Sequence, residues 1–197
     1  VEASPNQLWA NTFREAIKLE IDSDYFAPTL LEAEPAEIPA TLDTLGLLEG
    51  LPEKVYSIHL INDHLICATS AGLRRYNATI HGFEADLSFP TIDTSRTIPK
   101  LKIMENGDIW LINKDEYHSD IVRLEPTDAG TYTATTGSFR SVVKEGVIIN
   151  NIDVDPLDPA IAWISISDGL VKYNANASSK KREAYPALVR QVLIQGD

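Results

Sequence analysis

Val55-Tyr56-Ser57-Ile58-His59-Leu60-Ile61, then Asn62-Asp63, then His64-Leu65-Ile66-Cys67-Ala68-Thr69, then Ser70-Ala71, then Gly72-Leu73-Arg74-Arg75-Tyr76 is the stretch on which the fold turns. Residues 55–61 alternate as a strand does, Asn62-Asp63 is turn chemistry, and 64–69 is a second, more apolar strand. Ala71-Gly72 turns the chain again, with a glycine suited to positive φ, and Leu73 to Tyr76 makes a third strand. Apolar spacing of 3.6 residues is absent, so helical repeats are excluded.

Three other segments share this layout. Leu8-Trp9-Ala10-Asn11-Thr12 leads to Ala16-Ile17-Lys18-Leu19. Ile109-Trp110-Leu111-Ile112-Asn113 leads to Asp120-Ile121-Val122-Arg123-Leu124. Ala162-Trp163-Ile164-Ser165-Ile166 leads to Gly169-Leu170-Val171-Lys172-Tyr173. The anchors Trp9, Ile66, Trp110 and Trp163 lie 57, 44 and 53 residues apart, and each precedes its closing Leu or Tyr by 10, 10, 14 and 10 residues. A period near 40–50 residues built of short strands signals a β-propeller. The expected fold is all-β: a fragment of a β-propeller with about three to four blades of four-stranded antiparallel sheet. Asn106-Gly107-Asp108 is a hairpin turn between Leu101–Met104 and Ile109–Ile112. Phe83–Leu87 and Thr131–Thr135 are the expected outer strands.

The expected divisions are 1–50 (the end of a truncated blade plus a long Pro/Glu-containing loop), blades at 51–97, 98–146 and 147–186, and, at 187–197, either a closing strand or the start of a following domain. Val1 is not a starting Met, and it aligns with the end of a first strand, so a piece of a longer protein is expected. Tyr25 to Leu51 reads as a long loop or as a short helix around Pro39 to Leu48. Ala187 to Ile194 reads as a strand.

The chemistry-bearing residues are sparse. The 197-residue chain has a net charge of −12 and a pI near 4.7, which opposes nucleic-acid binding. No stretch reaches the roughly 20 apolar residues of a membrane span. Cys67 is the one cysteine, so no internal disulfide forms, and its apolar surroundings suit a buried thiol. Catalytic motifs are lacking, and His59, His64, His81 and His118 have no ligand spacing. Asp153-x-Asp155-x-x-Asp158 lacks the glycine and distal glutamate of a calcium loop and reads better as a turn. No metal or cofactor is expected. Asn77-Ala78-Thr79 and Asn176-Ala177-Ser178 fit the glycosylation pattern.

The tryptophans could stack on sugar rings, but their shared repeat position makes them blade-packing anchors first, together with Ile66, Gly72, Gly169, Tyr76 and Tyr173. The third repeat carries four extra residues within Asn113 to Asp120. Asn113, Lys114, Tyr117 and His118 there are the candidate ligand or interface residues, against the plainer reading of a solvated hairpin tip.

Gly50-Leu51-Pro52-x-x-Val55-Tyr56-Ser57-Ile58 followed by Thr69-x-x-Gly72-Leu73-x-x-Tyr76-Asn77 resembles the two-component regulator propeller repeat, as does Trp163 through Gly169-Leu170-Val171-Lys172-Tyr173-Asn174. Tyr185 to Val192 with Gly196-Asp197 resembles the segment where such propellers pass into the triple-tyrosine immunoglobulin-like domain. The resemblance implies a non-catalytic, periplasmic or otherwise extracytoplasmic sensor region of a hybrid two-component protein, with a histidine kinase elsewhere in the parent. Its implied partners are an oligosaccharide or other small ligand, the remaining blades, the Ig-like domain and a second copy in a homodimer. A secreted propeller scaffold or interaction module, and a propeller-fold lyase or glycosidase, are the alternatives.

Overall fold

The computed structural model describes residues 2–4, 6–21, 40–89, 92, 93, 95–128, 130–135, 139, 147–155, 157, 158 and 160–175. These residues form four antiparallel sheets with no α-helix among them. The first sheet holds β1 (Glu2–Ser4), β2 (Gln7–Asn11), β3 (Ala16–Ile21) and β4 (Ala40–Leu45). The second holds β5 (Val55–Ile61), β6 (His64–Thr69), β7 (Gly72–Asn77) and β8 (Gly82–Ala85). The third holds β9 (Thr97–Ile103), β10 (Ile109–Lys114), β11 (Ser119–Pro126) and β12 (Tyr132–Thr135). In the fourth, β13 (Ile149–Val154), β14 (Ile161–Ile166) and β15 (Gly169–Asn174) are described. Within each sheet the strands lie side by side in chain order, so each is a meander, the blade of a β-propeller.

The hairpins obey their turn residues. Asn62 and Asp63 both have positive φ, 49° and 61°, the requirement of the tight turn that matches strand twist. At the next turn, Thr69 Oγ1 accepts from the Ala71 N–H at 3.1 Å and donates to the Gly72 carbonyl at 2.6 Å. Gly72 takes φ +81°, where a Cβ would be strained, whereas Gly169 at the matching place lies outside the left-handed region.

The short helix considered around Pro39 to Leu48 is replaced by β4, which pairs with β3 from Ala16↔Leu45 to Ile21↔Ala40. Asp43 lies opposite Lys18, and most of β4 faces solvent, so the alternation that marks half-buried strands is faint there. Leu47–Glu49 is only a single 3₁₀ turn. The strand read at 187–194, the closing segment at 187–197 and the Asn176 sequon lie outside the described residues.

Apolar residues of neighbouring sheets form three cores. One joins Trp9, Ala16 and Leu45 of the first sheet to Val55, Ile58, Leu65, Cys67 and Phe83 of the second. Another joins Ile66, Ala68 and Leu73 to Ile98, Leu101, Ile109 and Leu111 of the third. The last joins Trp110, Ile112 and Ile121 to Ile149, Ile152, Val154, Ala162 and Ile164 of the fourth. Successive residues on each second strand therefore point alternately toward the following sheet (its forward face) and the preceding one (its reverse face). Burial lifts the Cys67 thiol pKa to about 12, so Cys67 behaves as a small hydrophobe.

Candidate functional site

One end of the sheets carries a rim that runs from the first sheet to the third. The Val55 N–H donates to the Phe13 carbonyl at 2.9 Å, tying the β2–β3 turn to the start of β5. The Ser70 N–H donates to the Lys54 carbonyl at 3.0 Å, and the Thr97 hydroxyl donates to the Ser70 carbonyl at 3.0 Å. Arg96 then donates through Nη2 to the His118 carbonyl at 3.0 Å, reaching the β10–β11 turn. Each turn after a second strand is thus sewn to the start of a first strand.

The expected loop residues sit at the far end of this rim. Asn113 is buried, and its Nδ2 donates to the Asp93 carbonyl at 3.3 Å; its Oδ1 has no hydrogen-bond partner among the described residues. Lys114 ends β10, opposite Thr97 of β9 and Ser119 of β11. Tyr117 and His118 stand exposed at the turn tip. Asp115 organises that tip: its Oδ1 accepts from the Tyr117 and His118 N–H groups, both at 2.8 Å. Those two bonds, with the Arg96 charge, hold its carboxyl below the usual carboxylate range. Arg96 Nε lies 3.2 Å from Asp115 Oδ2, and Nη1 lies 2.6 Å from Asp120 Oδ2. The insertion is therefore a pinned turn that presents Tyr117 and His118 outward.

At the near end, Phe13, Arg14, Glu15, Gly46, Leu47, Pro52, Glu53 and Lys54 line a cleft of about 390 Å³. Phe13 is exposed, meets Tyr56 edge-on at 6.2 Å, and has the Lys54 ammonium 5.7 Å from its ring. The Thr12 hydroxyl accepts from the Glu15 N–H at 3.1 Å and fixes the turn that lifts Phe13. Two acids and two bases edge the cleft, so it holds no net charge of its own. Sequence reasoning did not find it. Its one available signal was an aromatic at the tip of a polar turn, Asn11-Thr12-Phe13-Arg14-Glu15.

The anchors divide. Trp9, Ile66 and Trp110 are buried between sheets, while Trp163 is 39% exposed. The Tyr76 ring packs tilted against Trp9 with centroids 5.0 Å apart, and the Tyr173 ring centroid lies 6.0 Å from that of Trp110. The acidic run is spent on structure: Asp155 and Asp158 accept from the Leu157 and Ala160 N–H groups, each at 3.0 Å, and Asp153 pairs with Lys102. No cluster of three or more His, Cys, Asp or Glu suited to a metal occurs among the described residues. None of their helices is long and apolar enough to cross a membrane. Asn77 of the first sequon is half-buried and bonds Glu84 at 3.3 Å.

No family model and no curated protein matches the chain. Two solved structures share its fold, both of the extracellular domain of BT4673 from B. thetaiotaomicron, described in one as a one component system and in the other as a hybrid two component system. The first superposes with a TM-score of 0.55 at 16% identity, the second with 0.52 at 17%. Each match covers 88% of this chain but only 20% of the other, so the chain spans a fifth of that domain's length.

Proposed function

We propose that this chain is part of the extracytoplasmic, non-catalytic sensor region of a bacterial two-component-type receptor, and that it contacts its ligand along the rim. The hydrogen-bonded seam from Phe13 to His118 carries this reading. It holds an exposed aromatic with flanking charges at one end and an exposed Tyr-His pair at the other, on rigid sheet ends. Binding sites favour such loops on a firm scaffold. The likeness to the extracellular domain of BT4673 supports the same class of protein.

An oligosaccharide is the favoured ligand. Sugar C–H faces stack on rings such as Phe13 and Tyr117, and hydroxyls bond to paired acids and bases such as Glu15, Glu53, Arg14 and Lys54. Binding would pass onward as altered packing between this propeller, further blades and an Ig-like domain that starts at residues 187–197, toward a kinase in the same polypeptide. The blades on this reading are 51–97, 98–146 and 147–186.

Titration calorimetry against a panel of neutral and acidic oligosaccharides tests it. Saturable heat from one class, weakened at least tenfold in Phe13→Ala or Tyr117→Ala with unchanged melting, is expected. Turnover of any glycan in the panel, or binding indifferent to both substitutions, overturns it.

A further inference from the structure

Two ion pairs cross from one sheet to the next among the described residues. Lys102 of β9 pairs with Asp153 of β13, between the third and fourth sheets. His81, in the turn before β8, has its Nε2 3.4 Å from Asp43 Oδ2 of β4, between the second sheet and the first. Lysine keeps its charge throughout the physiological range, whereas histidine gains and loses its own there. One crossing pair is therefore permanent, and the other exists only while an imidazole is protonated.

His81 is held for its contact. It takes φ 49°, uncommon for a residue with a side chain, and its N–H donates to the Ala78 carbonyl at 3.3 Å. Its Nδ1 lies 3.1 Å from the Tyr76 hydroxyl, and Tyr76 packs against Trp9 in the core that the first two sheets share. Most charged groups around it are already engaged. Lys18, opposite Asp43, pairs with Glu20 at 2.6 Å, and Glu84 pairs with Arg75 at 3.3 Å. Glu49 Oε2 accepts from the Gly46 N–H at 2.7 Å. Arg74, on the Tyr76 face of β7 by alternation, has no acid partner among the described residues. What the His81–Asp43 pair secures is the link 46–50. Asp43 stands three residues before Gly46, and Gly46 and Leu47 wall the Phe13 cleft. The start of β8 presses on the same link: a Cβ at Gly82 would fall 2.8 Å from the Glu49 carbonyl oxygen, and one at Gly50 2.1 Å from the Phe83 carbonyl oxygen.

We propose that His81 is a pH-dependent latch: protonation turns its contact with Asp43 into an ion pair, draws β4 and the start of β8 together, and firms the link 46–50 between them. Both partners are about half exposed, so the gain is that of a surface pair, roughly two- to fivefold in the local opening equilibrium. The cleft wall is accordingly firmer in mildly acid surroundings. The latch belongs to the two sheets themselves and holds whatever the rim binds.

Amide hydrogen exchange read by mass spectrometry at about pH 5.5 and about pH 8 tests it, on either side of the ordinary histidine range. Rates are corrected for intrinsic exchange and referred to strand β10 of the third sheet. Relative protection over residues 43–51 is expected to be roughly two- to fivefold greater at the lower pH. His81→Gln and Asp43→Asn are each expected to abolish the difference. His81→Lys, whose charge is permanent, is expected to keep protection high at both pH values. His59 weakens the fold as pH falls, so it cannot mimic the gain. Equal relative protection at both pH values in the unsubstituted chain, or a difference that survives His81→Gln, overturns the proposal.

Discussion

Trp110 and Trp163 occupy the same place in successive repeats, each under a cation from the neighbouring strand, yet one is 1% exposed and the other 39%. The difference lies in what covers them. Trp110 is enclosed by Phe139 at 5.5 Å, Tyr173 at 6.0 Å and the aliphatic side chains of β13 and β14. Trp163 has its own sheet behind it and no described sheet in front. The repeat therefore specifies half of an interface. Stability resides between sheets, as it does in repeat proteins, whose units lean on their neighbours.

The largest expected effect sharpens this contrast. Trp110→Ala should lower the unfolding free energy by about 3–5 kcal/mol, as large core truncations do, and Trp163→Ala by ~1 kcal/mol or less. Urea denaturation of the two variants measures both. Equal losses would break the comparison, because they would require Trp163 to be as enclosed as Trp110.

A second contrast concerns the residues opposite the anchors on the first strands. His59 pairs with Ile66 and is half-buried, and the loss of water around it holds its imidazole down at about 4. Asp153 pairs with Trp163 and is exposed, with its carboxyl lowered by Lys102. As pH falls below the ordinary histidine value of 6.5, the unfolded chain binds a proton at residue 59 and the folded chain does not until about pH 4. Stability from this residue is complete above pH 6.5 and declines down to pH 4, by up to about 3 kcal/mol. His59→Gln should flatten that part of a stability-against-pH curve; an unchanged slope would show that His59 titrates normally in the folded state.

The smallest effect separates two glycines at one repeat position. Gly72→Ala should cost about 1–2 kcal/mol because its φ is left-handed. Gly169→Ala, with nothing within 4 Å of the added Cβ, should be neutral or gain about 0.5 kcal/mol. Thermal melts of both variants distinguish them, and a costly Gly169→Ala would mean that the two turns are alike.

These cases also mark what sequence reading could reach. The strands β5 and β6 and their turn were legible because Val55 to Thr69 combines alternation with a turn pair whose side chains tolerate positive φ. β4 was not, because Ala40–Leu45 is an outer strand whose exposed residues carry little period-two signal. The four residues added before Asp120 were visible as a length change, but the pinning by Arg96 depends on a partner about 20 positions away. The Phe13 cleft joins turns roughly 40 residues apart, and no local pattern announces such a meeting.

The chain-order meander within each sheet has a consequence for synthesis. Hairpins close within microseconds, whereas a ribosome adds about 5–20 residues per second, so one sheet is hydrogen-bonded a few seconds before the next emerges. During that interval the indole of Trp9 has its own strands but not yet the Val55, Cys67 and Phe83 that will enclose it. The nascent polypeptide thus grows with one greasy surface always at its leading edge, a standing target for chaperones that moves forward by one repeat at a time.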